Sequence, residues 1–165
     1  MKKEHSITLS LFLFYLVLLT WIILFKSQCS LSGLSRIRSV NLIPYGACAF
    51  TNGKIDFDEI FGNILVFVPV GIYVSMLKPG WSFVKRLLPA FGVSLFYEVM
   101  QFALAIGASD ITDLINNTSG GLIGVVIYLL FQKIFGKKAC RVLLICAGIC
   151  TVLLVALIAV LLFTK

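Results

Sequence analysis

"LFYEVMQFALAIGASDITDLINNTSGGLIGVVIYLLF", Leu95 to Phe131, decides how the chain is read. It is greasy enough for lipid, yet it carries Glu98, Gln101, Asp110, Asp113, Asn116 and Asn117. Its first part completes an apolar stretch from Leu87 to Ile106, and its last part forms another from about Leu114 to Phe131. At 1.5 Å per residue, about 20 residues cross the hydrocarbon of a bilayer, so each stretch is long enough to span it. Three more stretches reach that length: Ile7 to Phe25, Ile60 to Leu77 and Val142 to Phe163.

Composition agrees. Of 165 residues, 60% are hydrophobic and 13% charged, and the mean hydropathy is +1.06. A water-soluble globule of this size leaves most of its exterior wet and cannot hide so much apolar surface. The expectation is an all-α polytopic membrane bundle of about five helices, in a single domain covering residues 1–165. Lys2 and Lys3 before the first apolar stretch resemble the start of a signal peptide. That stretch is span-length, however, and "KSQCSLSG" after it offers no small-x-small cleavage site, so an uncleaved anchor is expected.

The net charge of +7 could suggest nucleic acid, but the cations sit in short clusters between apolar stretches, so no nucleic-acid partner is expected. With the N-terminus inside, Lys2, Lys3, Lys78, Lys85, Arg86, Lys133, Lys137, Lys138 and Arg141 are cytoplasmic, nine in all. The outer side then holds five: Lys26, Arg36, Arg38, Lys54 and Lys165. The positive-inside bias favours N-in, C-out. Trp21 and Trp81, near span ends, read as interfacial anchors, and His5 has no assigned role. Cys29 and Cys48 fall on the presumed outer side, where a disulfide is chemically feasible. "VNLIPYGACAF" (Val40 to Phe50) is apolar but too short to span, which suits a segment in the interface or one dipping into the bilayer.

Glu98 is the most informative residue. A carboxylate inside a span costs several kcal/mol or takes up a proton, and such groups usually face the protein interior. Gln101 lies at i+3 on the same helical face. Asp110, Asp113 and Asn117 share another face if a helix begins near Asp110, and Glu59 and Asn63 form a third stripe. In the N-in arrangement Gln101 lies about 8 Å and Glu98 about 12 Å from the outer end of their span, so the three stripes fall in the outer half of the membrane and can converge. Gly120 and Gly124 make a G-x-x-x-G contact surface, and Pro69 should kink its span. These polar groups suit a site, with Glu98 as a hypothetical acid or base and Asn63, Gln101, Asp110, Asp113 and Asn117 as binding groups. They equally suit interhelical hydrogen bonding, with the aspartates serving a helix N-terminus. No cofactor is expected. Two carboxylates at i+3 are a weak signal for a divalent cation at Asp110 and Asp113.

"VNLIPYG", "GNILVFVPVGIY" and "YEVMQFALAIGASDITDLINNTSGGLIG", in that order, resemble the VanZ-like family of bacterial membrane proteins over about Asn41 to Tyr128. The family's pattern maps onto Asn41 and Pro44, then Asn63, Phe67, Pro69 and Gly71, then Glu98 and Gln101, then Asp110 and Asp113, then Asn117, Gly120 and Gly121. Two departures stand out. Many members carry an arginine where this chain has "AIGAS" (Ala105 to Ser109), and an extra acid where it has Thr112. The resemblance implies a multi-pass protein of the bacterial cytoplasmic membrane connected with teicoplanin-type glycopeptide resistance, and no settled reaction. Its partners would be membrane lipids and a lipophilic glycopeptide or the lipid-linked cell-wall precursor. Three functions compete: a non-catalytic envelope protein acting at the outer leaflet, an intramembrane enzyme acting on a lipid or lipid-linked precursor, and a small transporter or complex subunit.

Overall fold

The computed structural model describes residues 2–24, 38–45, 50–51, 54–55, 57–105 and 107–163. Cys29 and Cys48, the pair considered for a disulfide, lie outside them. Five helices account for most of the chain: α1 (Lys2–Leu24), α2 (Phe57–Leu77), α3 (Phe83–Leu104), α4 (Ile111–Phe135) and α5 (Ala139–Phe163). Four short strands join them at one end. β1 (Arg38–Asn41) pairs in parallel with β4 (Gly107–Asp110), and β2 (Phe50–Thr51) pairs antiparallel with β3 (Lys54–Ile55).

The helices are those of a membrane protein. Lys3–Ile23, Phe57–Leu77, Phe83–Leu104 and Ile111–Val152 are each long and apolar enough to cross a bilayer. Large side chains such as Val17, Leu65, Val84 and Ile134 are more than 60% exposed on the outside of the bundle. In water that surface would drive aggregation, whereas in lipid it is the correct exterior. The fourth stretch is 42 residues long, about 63 Å if straight. It is not straight, because the 3-10 turn Gly136–Lys138, with Gly136 at φ 54°, separates α4 from α5. Leu143 of α5 packs with Tyr128 of α4 on the other side of that turn, so α5 folds back along the bundle.

The helices overrun the apolar stretches at several ends. α2 starts at Phe57 and includes Asp58 and Glu59 in its first turn, α3 starts at Phe83 after Ser82, and α4 starts at Ile111. First turns carry polar and charged groups that complete the orphan N–H groups and oppose the helix dipole, so hydropathy alone places these starts too late. α3 stops at Leu104, two residues before the apolar stretch does. Ala105 adopts a left-handed conformation (φ 54°, ψ 39°), and its N–H reaches the carbonyls of Gln101 and Phe102.

α2 and α4 pack backbone to backbone. A Cβ on Gly71 would fall on the Gly121 carbonyl oxygen, one on Gly120 on the Ile64 carbonyl oxygen, and one on Gly124 on the Val68 carbonyl oxygen. Gly121 faces the third partner, with Ala90 of α3 where its own Cβ would be. Van der Waals contact between small residues drives helix association where lipid removes the hydrophobic incentive. Around this seam Phe67, Val70, Val74, Ala90 and Tyr97 form a core closed by Leu19 and Ile23 of α1. Pro69 lies inside α2, where it supplies no N–H. One turn earlier, the Val66 carbonyl accepts the Tyr15 hydroxyl of α1.

Candidate functional site at one end of the bundle

The site is built where α3 ends and α4 begins. β4 connects the two helices, and its pairing with β1 sets Asn41 beside Asp110 in register. Asp110 has extended backbone (φ −125°, ψ 125°) and caps α4, its Oδ1 accepting the Thr112 N–H at 2.8 Å. Its Oδ2 accepts the Asn41 side-chain amide at 3.0 Å. Its own backbone N–H donates to Glu98 Oε2 at 2.8 Å. The Ser109 hydroxyl donates to the Glu98 carbonyl at 2.6 Å. Glu98 and Asp110 are thus both buried, 7% and 9% exposed, and both meet the positive end of the α4 dipole. That end favours negative charge by about 0.3–1 kcal/mol per group, and more where burial is greater.

The segment after β1 straps across the start of α4. Asn41 Oδ1 accepts the Ile43 N–H at 3.1 Å, an Asx turn that bends the chain. Pro44 follows, and Tyr45 takes a left-handed conformation (φ 53°). The Tyr45 N–H donates to Thr112 Oγ1 and its hydroxyl to Asn116 Oδ1, both at 3.0 Å. Asn41 and Pro44 therefore shape this strap. Val40 near the end of β1 and Leu42 and Ile43 of the strap are more than half exposed, as suits a bilayer interface.

The polar stripe expected along one face of α4 divides between three neighbours. Asp110 precedes the helix and turns to Glu98 and Asn41. Asp113 accepts the Asn63 side-chain amide of α2. Asn117 donates to Ser94 Oγ of α3 at 3.0 Å. Gln101 does not hydrogen-bond Glu98 in this arrangement. Its amide donates to the Ile23 carbonyl at 3.4 Å, meeting one of the orphan acceptors in the last turn of α1. Glu98, Asn63, Gln101, Asp110, Asp113 and Asn117 all lie at the same end of the bundle, but they form linked contacts between helices and do not ring one cavity.

Beside Glu98 and Asp110 a pocket of about 280 Å³ opens between α3, the start of α4 and the strap. Glu98, Asp110, Ser109 and Asn41 line it together with aliphatic and aromatic side chains, among them Leu95, Val99 and Phe102. Gln101, Asn63, Asp113 and Asn117 are not among its lining residues. A divalent cation would need several oxygen ligands converging on one point. Asp110 and Asp113 point to different neighbours, and among the described residues no group of three or more His, Cys, Asp or Glu comes together. The residues present therefore do not make a ready cation cage.

Sequence reasoning passed over Ser94, Ser109 and Tyr45 as members of this network. Ser94 carried a usable signal, being four residues before Glu98 on the same helical face. Tyr45 carried one only as the aromatic of the family-like segment "VNLIPYG", and Ser109 carried none, because its role depends on the β1–β4 pairing. Among the described residues three buried side-chain amide atoms, Gln101 Oε1, Asn116 Nδ2 and Asn117 Oδ1, have no hydrogen-bond partner.

A family model described as VanZ/LLP1 matches residues 12–132, from within α1 to near the end of α4. Protein VanZ of Enterococcus faecium is 35% identical over 137 residues, which cover 82% of this chain and 81% of that protein. No solved structure matches the chain. The matched region contains the glycine seam, the strap and the Glu98–Asp110 network, and on these matches the chain is a membrane protein that belongs to the VanZ/LLP1 family.

Proposed function

We propose that this protein is a non-catalytic component of the bacterial cytoplasmic membrane, with five spans running N-in to C-out. Its outer-end polar site alters how a teicoplanin-type lipophilic glycopeptide, or the lipid-linked cell-wall precursor, sits at the outer leaflet. The observation that carries this reading is the Glu98–Asp110–Asn41 network beside a pocket at one end of the bundle. The opposite end holds the Glu4–Arg141 ion pair at 3.1 Å and the basic turns that carry Lys78, Lys85, Lys137 and Lys138. The positive-inside bias assigns that basic end to the cytoplasm, which turns the polar network outward.

The test is teicoplanin susceptibility in a sensitive bacterial host. Expression of the wild-type chain should lower susceptibility and Glu98→Leu, present at equal level in the membrane, should lose the effect. Unchanged susceptibility on both expression and deletion would count against the proposal. The enzyme reading keeps one favouring observation, the presence of Glu98 among the residues that line a pocket. Lipid profiles of cells carrying Glu98→Gln should equal those with the wild-type chain if the protein is non-catalytic, and a missing or accumulated lipid species would favour the enzyme.

A further inference from the structure

At the basic end of the bundle, the loop from Lys78 to Ser82 joins α2 to α3 beside a buried cation. Arg86, the fourth residue of α3, is only 6% exposed. Its side chain folds back onto the loop, with Nε donating to the Trp81 carbonyl at 3.0 Å and Nη2 to the Pro79 carbonyl at 2.5 Å. Nη1 is buried and has no hydrogen-bond partner. No carboxylate among the described residues pairs with this guanidinium. Of the described acids only Glu4 lies at this end, and Arg141 holds it at 3.1 Å. Two carbonyl dipoles orient Arg86 but leave its charge whole, and a buried charge is costly until a counter-ion meets it.

The start of α3 calls for the same thing. Ser82 is the N-cap and makes no side-chain cap hydrogen bond, and the first turn of the helix holds no acid. Orphan N–H groups and the positive end of the helix dipole therefore face outward unmet, which favours an anion. Lys85 in that turn and Lys78 across the loop are both exposed and add positive charge. Lys78 Nζ lies 5.8 Å from the centre of the Trp81 ring, and Trp81 is 39% exposed. Tryptophan beside the end of a span marks the depth of the lipid headgroups. The anion at that depth is a headgroup phosphate, and basic sites between helices on the cytoplasmic side suit acidic lipids.

We propose that the α2–α3 loop binds the phosphate of an anionic phospholipid of the inner leaflet. The N–H groups at the start of α3 receive it, Lys78 and Lys85 flank it, and Arg86 beneath the loop supplies the buried countercharge.

Trp81 can report on its own site. The chain has two tryptophans, so Trp21→Phe leaves Trp81 as the single emitter, and lipids brominated in the acyl chains quench the tryptophan they adjoin. With the full-length protein in phosphatidylcholine vesicles, brominated phosphatidylglycerol should quench Trp81 at a mole fraction roughly twentyfold lower than brominated phosphatidylcholine, about fivefold for each of the two lysines. Lys85→Ala should divide that preference by about five. Arg86→Gln keeps a donor for the loop carbonyls but loses the charge, and it should lower the preference by a similar factor. Ser82→Asp supplies the negative charge from the protein itself. It should remove most of the preference, and in micelles without acidic lipid it should raise the unfolding midpoint, a gain that the wild-type chain should show only when phosphatidylglycerol is added. Trp21, read alone after Trp81→Phe, should show no such preference. An unchanged preference in Ser82→Asp, or an equal one at Trp21, would overturn the site and leave only a charged surface. Preference that survives an excess of inorganic phosphate supports a lipid as the source, whereas its loss would overturn that assignment in favour of free phosphate.

Discussion

Asp110 ties three parts of the site together, because one residue caps α4, holds Asn41 and donates its backbone N–H to Glu98. Asp110→Ala removes the cap and the Asn41 bond together. A lost cap costs about 1 kcal/mol and a lost side-chain hydrogen bond about another, so denaturant unfolding in detergent micelles should show a loss of roughly 2 kcal/mol. Glu98 behaves differently on two substitutions. Glu98→Gln keeps an acceptor for the Asp110 N–H and should unfold within about 1 kcal/mol of wild type, whereas Glu98→Leu strands that buried donor and should cost about 1–3 kcal/mol. Equal stability of the two variants in the same experiment would mean that the bond carries nothing. That Glu98 turns inward could be anticipated from its place in an apolar stretch, since lipid tolerates a carboxyl only against protein. Its partner could not. Asp110 is reached only because Ala105 ends α3 and a strand follows, and nothing within a few residues of Glu98 specifies either event.

At the scale of elements, the seam between α2 and α4 makes the sharpest demand on side-chain size. Gly124→Ala sets a methyl group against the Val68 carbonyl. Overpacking of this kind costs typically 1–3 kcal/mol, which exceeds the gain of about 1 kcal/mol that alanine brings to a helix. Gly92→Ala on α3 meets nothing within 4 Å and should be neutral or stabilising by up to about 1 kcal/mol. Unfolding of the two variants in mixed micelles, followed by circular dichroism, should separate them in opposite directions. Similar changes for both would show that the helices do not approach so closely. The small-residue spacing made this seam readable, because only Gly at Gly120 and Gly124 permits backbone contact. The strand pair was not readable. β1 and β4 are four residues each and about seventy residues apart, too short for a period-2 pattern to register, and their pairing is decided by the tertiary position of α3 and α4.

The whole molecule has two chemically distinct ends. One gathers amides, carboxyls and the strap. The other gathers the Glu4–Arg141 pair and buried Arg86, which donates to the carbonyls of Trp81 and Pro79 and lies 5.3 Å from the Tyr128 ring. The asymmetry was legible in the cation count of the loops, whereas the meeting of three helices over one polar network was not, since each contact joins residues remote in sequence. Every functional statement above depends on which end meets the outside. In a cysteine-free background, Ile43→Cys on the exposed strap and Lys137→Cys on the α4–α5 turn should be probed in intact cells with a membrane-impermeant maleimide. The cysteine at 43 should label from outside and the one at 137 only after the membrane is permeabilised; labelling at 137 but not at 43 in intact cells would contradict an outward-facing site.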